Sequence, residues 1–242
     1  MNMNDSTVIS IITKTAIEMG IALPPTAANM FEIYSDILIK HNRHVNLTAI
    51  KNKEDIARLH FLDSLALLNV INFQSTNIID IGSGAGFPGV PLKIAEPSIK
   101  LTLLDATNKR IMFLTKLCQE LGIQAEFLHV RAEDAAQPHS NLREKYDIVV
   151  SRAVARLNIL CELCLPFLRV GGAFPAMKGI DSDEELNESL NAIKILGAEL
   201  EKITDYTIPE TNIKHRIIVI RKVSQTPSIY PRRFAKIEKK PL

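Results

Sequence analysis

The spacing of hydrophobic residues changes near residue 75 and divides the chain into two parts. Before this point the spacing is helical: one stripe runs from Met30 to Leu38, and another runs from Leu59 to Asn69. Pro24-Pro25-Thr26 opens the first stripe, and the link around residues 42–52 is polar and basic. This pattern predicts an N-terminal helical extension over residues 1–74.

After residue 75, short apolar segments alternate with helical patterns. The predicted strands are Asn77–Ile81, Leu101–Asp105, Ala125–His129, Asp147–Ser151, Gly172–Met177 and, as a closing hairpin, Leu200–Thr207 and Lys214–Lys222. The predicted helices are Pro88–Ala95, Lys109–Leu121, Leu157–Leu168 and about 184–196. Such alternation predicts an α/β fold, in which a mostly parallel seven-stranded sheet has helices on both faces. We expect this domain to span residues 75–226 and a basic C-terminal tail to follow over residues 227–242.

Composition places the chain among globular proteins of a reducing compartment. A hydrophobic content of 46% is sufficient for a core, and no apolar run is long enough to cross a membrane. Met1 to Ser10 is polar and does not resemble a signal peptide, so we expect a cytoplasmic protein. Cys161 and Cys164 have the CxxC spacing, but no second pair accompanies them. We therefore expect both thiols in the core, and no metal site.

Charge supports a polyanionic partner only through its distribution, because the net charge is +2. One basic stretch runs from Lys40 to His60, and a second runs from Arg221 to the end of the chain. Each stretch alone is compatible with a solvated surface. Together they favour contacts to phosphates.

The sharpest motif is Asp80-Ile81-Gly82-Ser83-Gly84-Ala85-Gly86-Phe87-Pro88-Gly89. It follows a predicted strand and opens a predicted helix, with Pro88 expected in the first turn. The next strand closes with Asp105. In a doubly wound sheet the two points meet at the carboxyl edge, where a nucleoside ligand binds and the acid holds the ribose hydroxyls.

The glycine spacing favours S-adenosylmethionine as the cofactor. A dinucleotide-binding loop requires GxGxxG or GxGxxA, whereas this loop reads GxGxG and has Phe87 at the third small position. Asp80 suits a cationic ligand better than a pyrophosphate. The Lys-Ser or Lys-Thr of a nucleoside triphosphate loop is absent.

With these motifs the sequence resembles the bacterial small-subunit ribosomal RNA methyltransferase G family, also called glucose-inhibited division protein B. The matching segments run in order from about Asn46 to the C-terminus: Asn46-Leu47-Thr48, His60-Phe61-Leu62-Asp63-Ser64-Leu65, the glycine loop, Leu104-Asp105, Lys109-Arg110, Arg131-Ala132-Glu133, Ser151-Arg152-Ala153, Met177-Lys178-Gly179 and Tyr230-Pro231-Arg232-Arg233. The resemblance implies a Rossmann-like class I methyltransferase that methylates N7 of a guanine in small-subunit (16S) ribosomal RNA.

The resemblance also implies a set of cofactor-binding residues. Gly82 and Phe87 would line the S-adenosylmethionine pocket, and Gly84 would lie beneath the cofactor. Asp105 would hold the ribose. The remaining three are Ala132 and Glu133, which would border the adenine, and Arg152, which would lie at the mouth of the site.

The chemistry of the acceptor agrees with this implication. No cysteine follows a proline, as cytosine C5 methylation usually requires, and Ser151-Arg152-Ala153-Val154 stands where amino-group methyltransferases usually carry Asn/Asp-Pro-Pro-aromatic. Guanine N7 bears a lone pair and no proton, so positioning alone suffices and we expect no catalytic base or nucleophile.

Three residues are substrate-side candidates, each with a structural alternative. Arg152 could contact phosphate or guanine O6, or could pair with Glu133 or Asp134. Lys178 could touch RNA or cap a strand end, and Asn46 could approach the base or serve a loop. His60 and Asp63, three residues apart on one helical face, are more typical of a structural pair than of catalysis.

Three other functions remain open at this point. A small-molecule methyltransferase would share the cofactor loop, and an RNA-binding assembly factor could retain the fold without catalysis. An NAD-dependent oxidoreductase is disfavoured by Phe87. For the favoured function we expect a monomer that acts on ribosomal RNA or on a ribosomal subunit particle, and not at a membrane.

Overall fold

The computed structural model describes residues 7–152 and 155–242, with His44 described by its backbone only. Seven strands form one sheet: β1 (Asn77–Ile81), β2 (Lys100–Asp105), β3 (Ala125–His129), β4 (Tyr146–Val150), β5 (Leu168–Gly179), β6 (Ala198–Thr207) and β7 (Lys214–Lys222). Their spatial order is β3-β2-β1-β4-β5-β7-β6, and only β7 runs antiparallel to its two neighbours. The predicted sheet of seven mostly parallel strands is confirmed.

The helices are α1 (Thr7–Glu18), α2 (Ala27–Val45), α3 (Lys53–Ile56), α4 (Asp63–Leu65), α5 (Gly89–Ala95), α6 (Asn108–Glu120), α7 (Ala132–Ala135), α8 (Leu157–Cys164), α9 (Asp183–Ile195) and α10 (Phe234–Lys239). A π-helical turn, Ala57–Leu62, joins α3 to α4, and 3₁₀ turns follow at Ala66–Asn69 and Leu165–Phe167. No helix in the described part of the chain is long and apolar enough to cross a membrane.

The predicted helices differ from the observed ones at three places. The stripe from Leu59 to Asn69 is not one α-helix, because a π turn and a 3₁₀ turn interrupt it. α8 ends at Cys164, and Leu168 already belongs to β5. α5 begins at Gly89, so Pro88 immediately precedes the helix.

Alternating side chains of the strands build a core on each face of the sheet. In β1, Ile78 faces one core while Ile79 and Ile81 face the other, as the period of two in a strand requires. The first core also contains Phe31 of α2 and Leu65 of α4. The N-terminal helices therefore share a continuous core with the sheet.

The C-terminal segment also packs against the domain. Ile237 of α10 is fully buried in the second core, and Arg232 forms an ion pair of 2.6 Å with Glu162 of α8. Lys222 is buried beside Glu144 at 3.4 Å. Several cations of the second basic stretch are thus engaged within the protein. Cys161 and Cys164, which also belong to this core, are buried.

Candidate cofactor and substrate site

A cleft of about 790 Å³ lies at the carboxyl ends of β1, β2 and β4. It collects six of the nine candidate cofactor-binding and substrate-side residues, Gly82, Gly84, Phe87, Asp105, Arg152 and Lys178, and it also includes His60 and Asp63. Asn46, Ala132 and Glu133 do not line it. The cleft occupies the edge of the sheet at which doubly wound folds bind nucleosides.

The glycine loop owes its shape to backbone conformations that other residues rarely adopt. Gly82, Gly84 and Gly86 have φ angles of 70°, 57° and 101°. A Cβ on Gly86 would stand 2.6 Å from the hydroxyl oxygen of Tyr34, whereas a Cβ on Gly84 would meet no atom closer than 3.7 Å. Gly86 therefore permits close packing against α2, and Gly84 leaves space toward the cleft.

Asp105 ties the loop to the next strand. Its Oδ2 accepts a hydrogen bond of 2.9 Å from the Gly84 amide, and its Oδ1 accepts one of 2.8 Å from the Thr107 amide. The Arg110 guanidinium lies 3.3 Å from Oδ2. The carboxylate is thereby fixed at the floor of the cleft, beside the loop.

Asp80 lies beneath the loop and does not line the cleft. Its Oδ2 accepts a hydrogen bond of 2.9 Å from the Gly89 amide at the start of α5. Its Oδ1 is buried and has no hydrogen-bond partner among the described residues. Burial raises the pKa of this carboxyl to about 8. Asp80 therefore has one carboxyl oxygen without a hydrogen-bond partner immediately below the loop.

Phe87 forms a wall of the cleft and is held between polar groups. The His60 ring stacks on it with a centroid distance of 4.4 Å, and the Arg152 guanidinium carbon lies 4.8 Å from the ring centroid. Tyr34 stacks at 5.4 Å. A cation over an aromatic face is stabilised by the ring quadrupole, so Phe87 and Arg152 fix one another.

Arg152 pairs with Asp63, so the predicted alternative of Glu133 or Asp134 as its partner is wrong. Its Nη1 lies 3.0 Å from Asp63 Oδ2, and its Nη2 lies 3.0 Å from His60 Nδ1. His60 and Asp63 are thus linked through Arg152 rather than to each other. Their spacing on the π turn and α4 presents both to one guanidinium.

Asp63 is the centre of this buried network. Besides Arg152 it accepts hydrogen bonds from the Tyr206 hydroxyl at 2.7 Å and from His215 Nδ1 at 2.8 Å. Burial acts to raise the pKa of Asp63, but the His215 hydrogen bond, the Arg152 charge and the Tyr206 hydrogen bond outweigh it and lower the pKa. The carboxylate therefore remains charged.

His60 is neutral in this environment. Burial and the nearby charge of Arg152 lower its pKa to about 3. Because a guanidinium only donates, Nδ1 accepts from Arg152, and Nε2 donates to Thr48 Oγ1 at 2.8 Å. Neither ring nitrogen is left to act as a base.

Lys178 lines the cleft, but internal partners hold its ammonium group. Nζ donates to the Ala155 carbonyl at 2.8 Å and to Glu185 at 2.6 Å. Glu185 also accepts from the Leu157 amide at the start of α8. The ammonium is therefore engaged within the protein, at Ala155 ahead of α8 and at Glu185 of α9, and not at a strand end.

The candidate residues Asn46, Ala132 and Glu133 lie outside the cleft. Ala132 and Glu133 are buried at the start of α7, just beyond the carboxyl end of β3. Burial raises the pKa of Glu133. Asn46 ends α2 in a left-handed conformation and lines a neighbouring groove.

Sequence reasoning missed His215 and Tyr206 as parts of the site. Both lie in the closing hairpin, 152 and 143 residues from the Asp63 that they contact. The sequence predicts the hairpin itself, but only the sheet order brings it to Asp63.

Comparison with known proteins places this geometry among methyltransferases. A sequence model of the family described as GidB, rRNA small subunit methyltransferase G, matches residues 27–215. The ribosomal RNA small subunit methyltransferase G of Alkaliphilus oremlandii is 47% identical over 96% of this chain and 98% of its own length. The Desulforamulus reducens protein of the same name is 43% identical over 99% of this chain and 100% of its own length.

Solved structures show the same fold at low sequence identity. TYW2 of M. jannaschii in complex with AdoMet has a TM-score of 0.52 at 11% identity, covering 66% of this chain and 75% of that one. A putative methyltransferase of Bacillus halodurans has a TM-score of 0.52 at 13% identity, covering 67% of this chain and 99% of that one. The fold is therefore the Rossmann-like fold of class I methyltransferases.

Proposed function

This chain belongs to the rRNA small subunit methyltransferase G family, and we propose that it transfers a methyl group from S-adenosylmethionine to N7 of a guanine in small-subunit ribosomal RNA. The observation that carries the proposal is the joining of the glycine loop to Asp105 within one open cleft. The proposal includes action in the cytoplasm and as a monomer.

The residues of the cleft fit S-adenosylmethionine, which supplies a methyl group on a positively charged sulfur. The loop at Gly84 leaves open space for a ligand against the backbone, and Asp105 offers carboxylate oxygens for ribose hydroxyls. Asp80 has an unpaired carboxyl oxygen below the loop, and a positively charged ligand nearby would lower the pKa of this carboxyl and favour its ionised form. Phe87 would line the pocket, with Gly82 at the start of the loop.

Ala132 and Glu133 complete the proposed cofactor site at the adenine end. They lie at the carboxyl end of β3, which pairs with the strand that ends in Asp105. A nucleoside that is held by Asp105 at the end of β2 would extend across the end of the neighbouring β3, where these two residues lie. Glu133 is 6% exposed, so contact with the adenine would be at the edge of its carboxyl group or its backbone.

Guanine N7 as the acceptor needs no deprotonation, and three ionisable groups of the cleft are already held by hydrogen bonds. Asp63 accepts three hydrogen bonds from side chains, His60 is bonded at both ring nitrogens, and Asp105 is bonded to the loop. Guanine N7 attacks through its in-plane lone pair and loses no proton. Alignment of the base with the methyl group is therefore the main task of the protein.

We assign Arg152 a positioning role with a free donor toward the base. Its Nη atoms are held by Asp63 and His60, and its side chain is 13% exposed at the cleft. A guanidinium has five N–H groups, so donors remain for guanine O6.

Calorimetric titration with S-adenosylmethionine tests the cofactor half of the proposal. We expect the wild-type protein to bind, and Asp105→Ala to weaken binding by about 10- to 100-fold, the equivalent of one charge-assisted hydrogen bond. Asp134→Ala removes an exposed carboxylate from α7 and is the matched control, with unchanged affinity. No measurable binding by the wild-type protein would refute the proposal.

A further inference from the structure

A second groove of about 980 Å³ adjoins the cofactor cleft. It is lined by the end of α2 and by the loop that follows, and the two cavities share Leu47 and Thr48 as lining residues. We propose that this groove binds the phosphodiester backbone of the RNA strand whose guanine enters the cleft. The proposal rests on the proposed function and adds where the RNA backbone is held.

The charge of the groove favours a polyanion. Arg43 and Lys51 line it and are exposed, and no acidic residue is among its lining residues. Lys40 is also exposed and precedes Arg43 by three residues on the same helix, which places both on one face. None of the three forms an ion pair with a carboxylate of residues 7–152 or 155–242. Each charge is therefore available to a phosphate without breaking an internal ion pair.

Two neighbouring cations, in contrast, form ion pairs within the protein. Lys53 is bonded to Glu32 and Asp36, and Arg58 is bonded to Glu54 and Glu210. Within the first basic stretch, the cations at the groove are thus unpaired, whereas Lys53 and Arg58, which do not line it, are paired.

The groove is preformed by hydrogen bonds of Asn42. Its Oδ1 accepts from the amides of Leu47 at 2.6 Å and Thr48 at 2.9 Å, and its Nδ2 donates to the Thr48 carbonyl at 2.7 Å. Asn46, at the start of this fixed loop, is exposed and lines the groove. A site that is already ordered costs less entropy on binding.

The groove is also continuous with the methyl-transfer site. Thr48 Oγ1 is bonded to His60, which stacks on Phe87. A strand held by Arg43 and Lys51 can therefore deliver one base past Thr48 into the cleft. Contacts of this kind fix the register of a nucleic acid without reading its sequence.

Filter binding of small-subunit ribosomal RNA over a range of salt concentrations tests the groove. Each phosphate contact to a single strand contributes about 0.7 to the slope of log K against log salt, so R43A/K51A should reduce the slope by about 1.4. We also expect KM for the RNA to rise at unchanged kcat, with affinity for S-adenosylmethionine equal to that of the wild type.

K145A/K194A is the matched control, because it removes two exposed cations that lie outside both basic stretches, immediately before β4 and at the end of α9. It should leave the slope and KM unchanged. If R43A/K51A behaves like the wild type, or if both double variants reduce the slope equally, the groove assignment is wrong. Loss of binding to the subunit particle alone, with binding to naked RNA intact, would indicate a protein contact and also overturn it. Failure of the wild-type protein to methylate the RNA would instead refute the proposed function.

Discussion

At the scale of single residues, the site depends on a charge pair that water scarcely reaches. The side chains of Asp63 and Arg152 are 2% and 13% exposed. A buried pair of this kind gains little over an apolar pair, but removal of one partner leaves the other desolvated and uncompensated. The network therefore orders the wall of the cleft, and it makes the fold sensitive to loss of either charge.

Asp63→Ala should lower the free energy of unfolding by about 3–5 kcal/mol, because it leaves Arg152 buried without its partner. Glu188→Ala breaks the exposed pair with Arg156, whose side chains are 44% and 59% exposed, and should cost at most about 1 kcal/mol. Urea denaturation of both variants measures the difference. Equal losses would show that the Asp63 network is not a buried ion pair in solution.

His60 should make stability depend on pH below neutrality. Its pKa is about 3 in the folded protein and about 6.5 when unfolded, so between these values the unfolded state binds the additional proton. Stability is therefore fully present above about pH 6.5 and is lost as pH falls, by about 1.4 kcal/mol per unit from this group. His60→Gln should remove that part of the slope in urea melts at pH 4 to 7. The exposed His139→Gln is the control, and an unchanged slope in His60→Gln would contradict the assignment.

At the scale of elements, the turn from β1 into α5 requires glycine at position 86 for two separate reasons. Gly86 needs a positive φ and also has no room for a Cβ next to Tyr34. Gly122, at the end of α6, has a φ of +65° but no atom within 4 Å of an added Cβ. Gly122 therefore gives the cost of a left-handed conformation alone, whereas Gly86 combines a wider φ of 101° with the overlap at Tyr34.

Gly122→Ala should cost about 1–2 kcal/mol, the price of a left-handed conformation for an L-residue. Gly86→Ala should cost more, because its Cβ would also overlap the Tyr34 hydroxyl and shift the loop. Thermal unfolding and titration with S-adenosylmethionine measure both effects. Equal losses of stability with normal cofactor binding would show that α2 does not pack against the loop as described.

At the scale of the whole molecule, three separate parts of the chain build one site. The N-terminal helical segment supplies His60 and Asp63, the end of β4 supplies Arg152, and the closing hairpin supplies Tyr206 and His215. The helical extension is thus part of the wall of the cleft. We therefore expect substitutions in the core of this extension to shift His60 and Asp63 and so to alter the wall of the cleft.

The sequence could predict features that depend on local patterns, but not contacts between distant parts of the chain. The bounds of β1, β3 and β7 follow from apolar runs and alternation, and the proximity of Gly84 to Asp105 follows from the topology of parallel sheets. The π turn at 57–62 escaped prediction, because a single wide turn scarcely disturbs a helical stripe. The contact of Asp63 with His215 depends on sheet order and packing, which local patterns do not encode.

The most direct measurement of the central claim is the position of the methyl group in RNA. Small-subunit particles and naked small-subunit RNA that lack the modification are incubated with the purified protein and labelled S-adenosylmethionine, and the RNA is digested and mapped by mass spectrometry. We predict label in 7-methylguanosine at one position of the small-subunit RNA. Label on another atom, or no transfer to either substrate, would contradict the account.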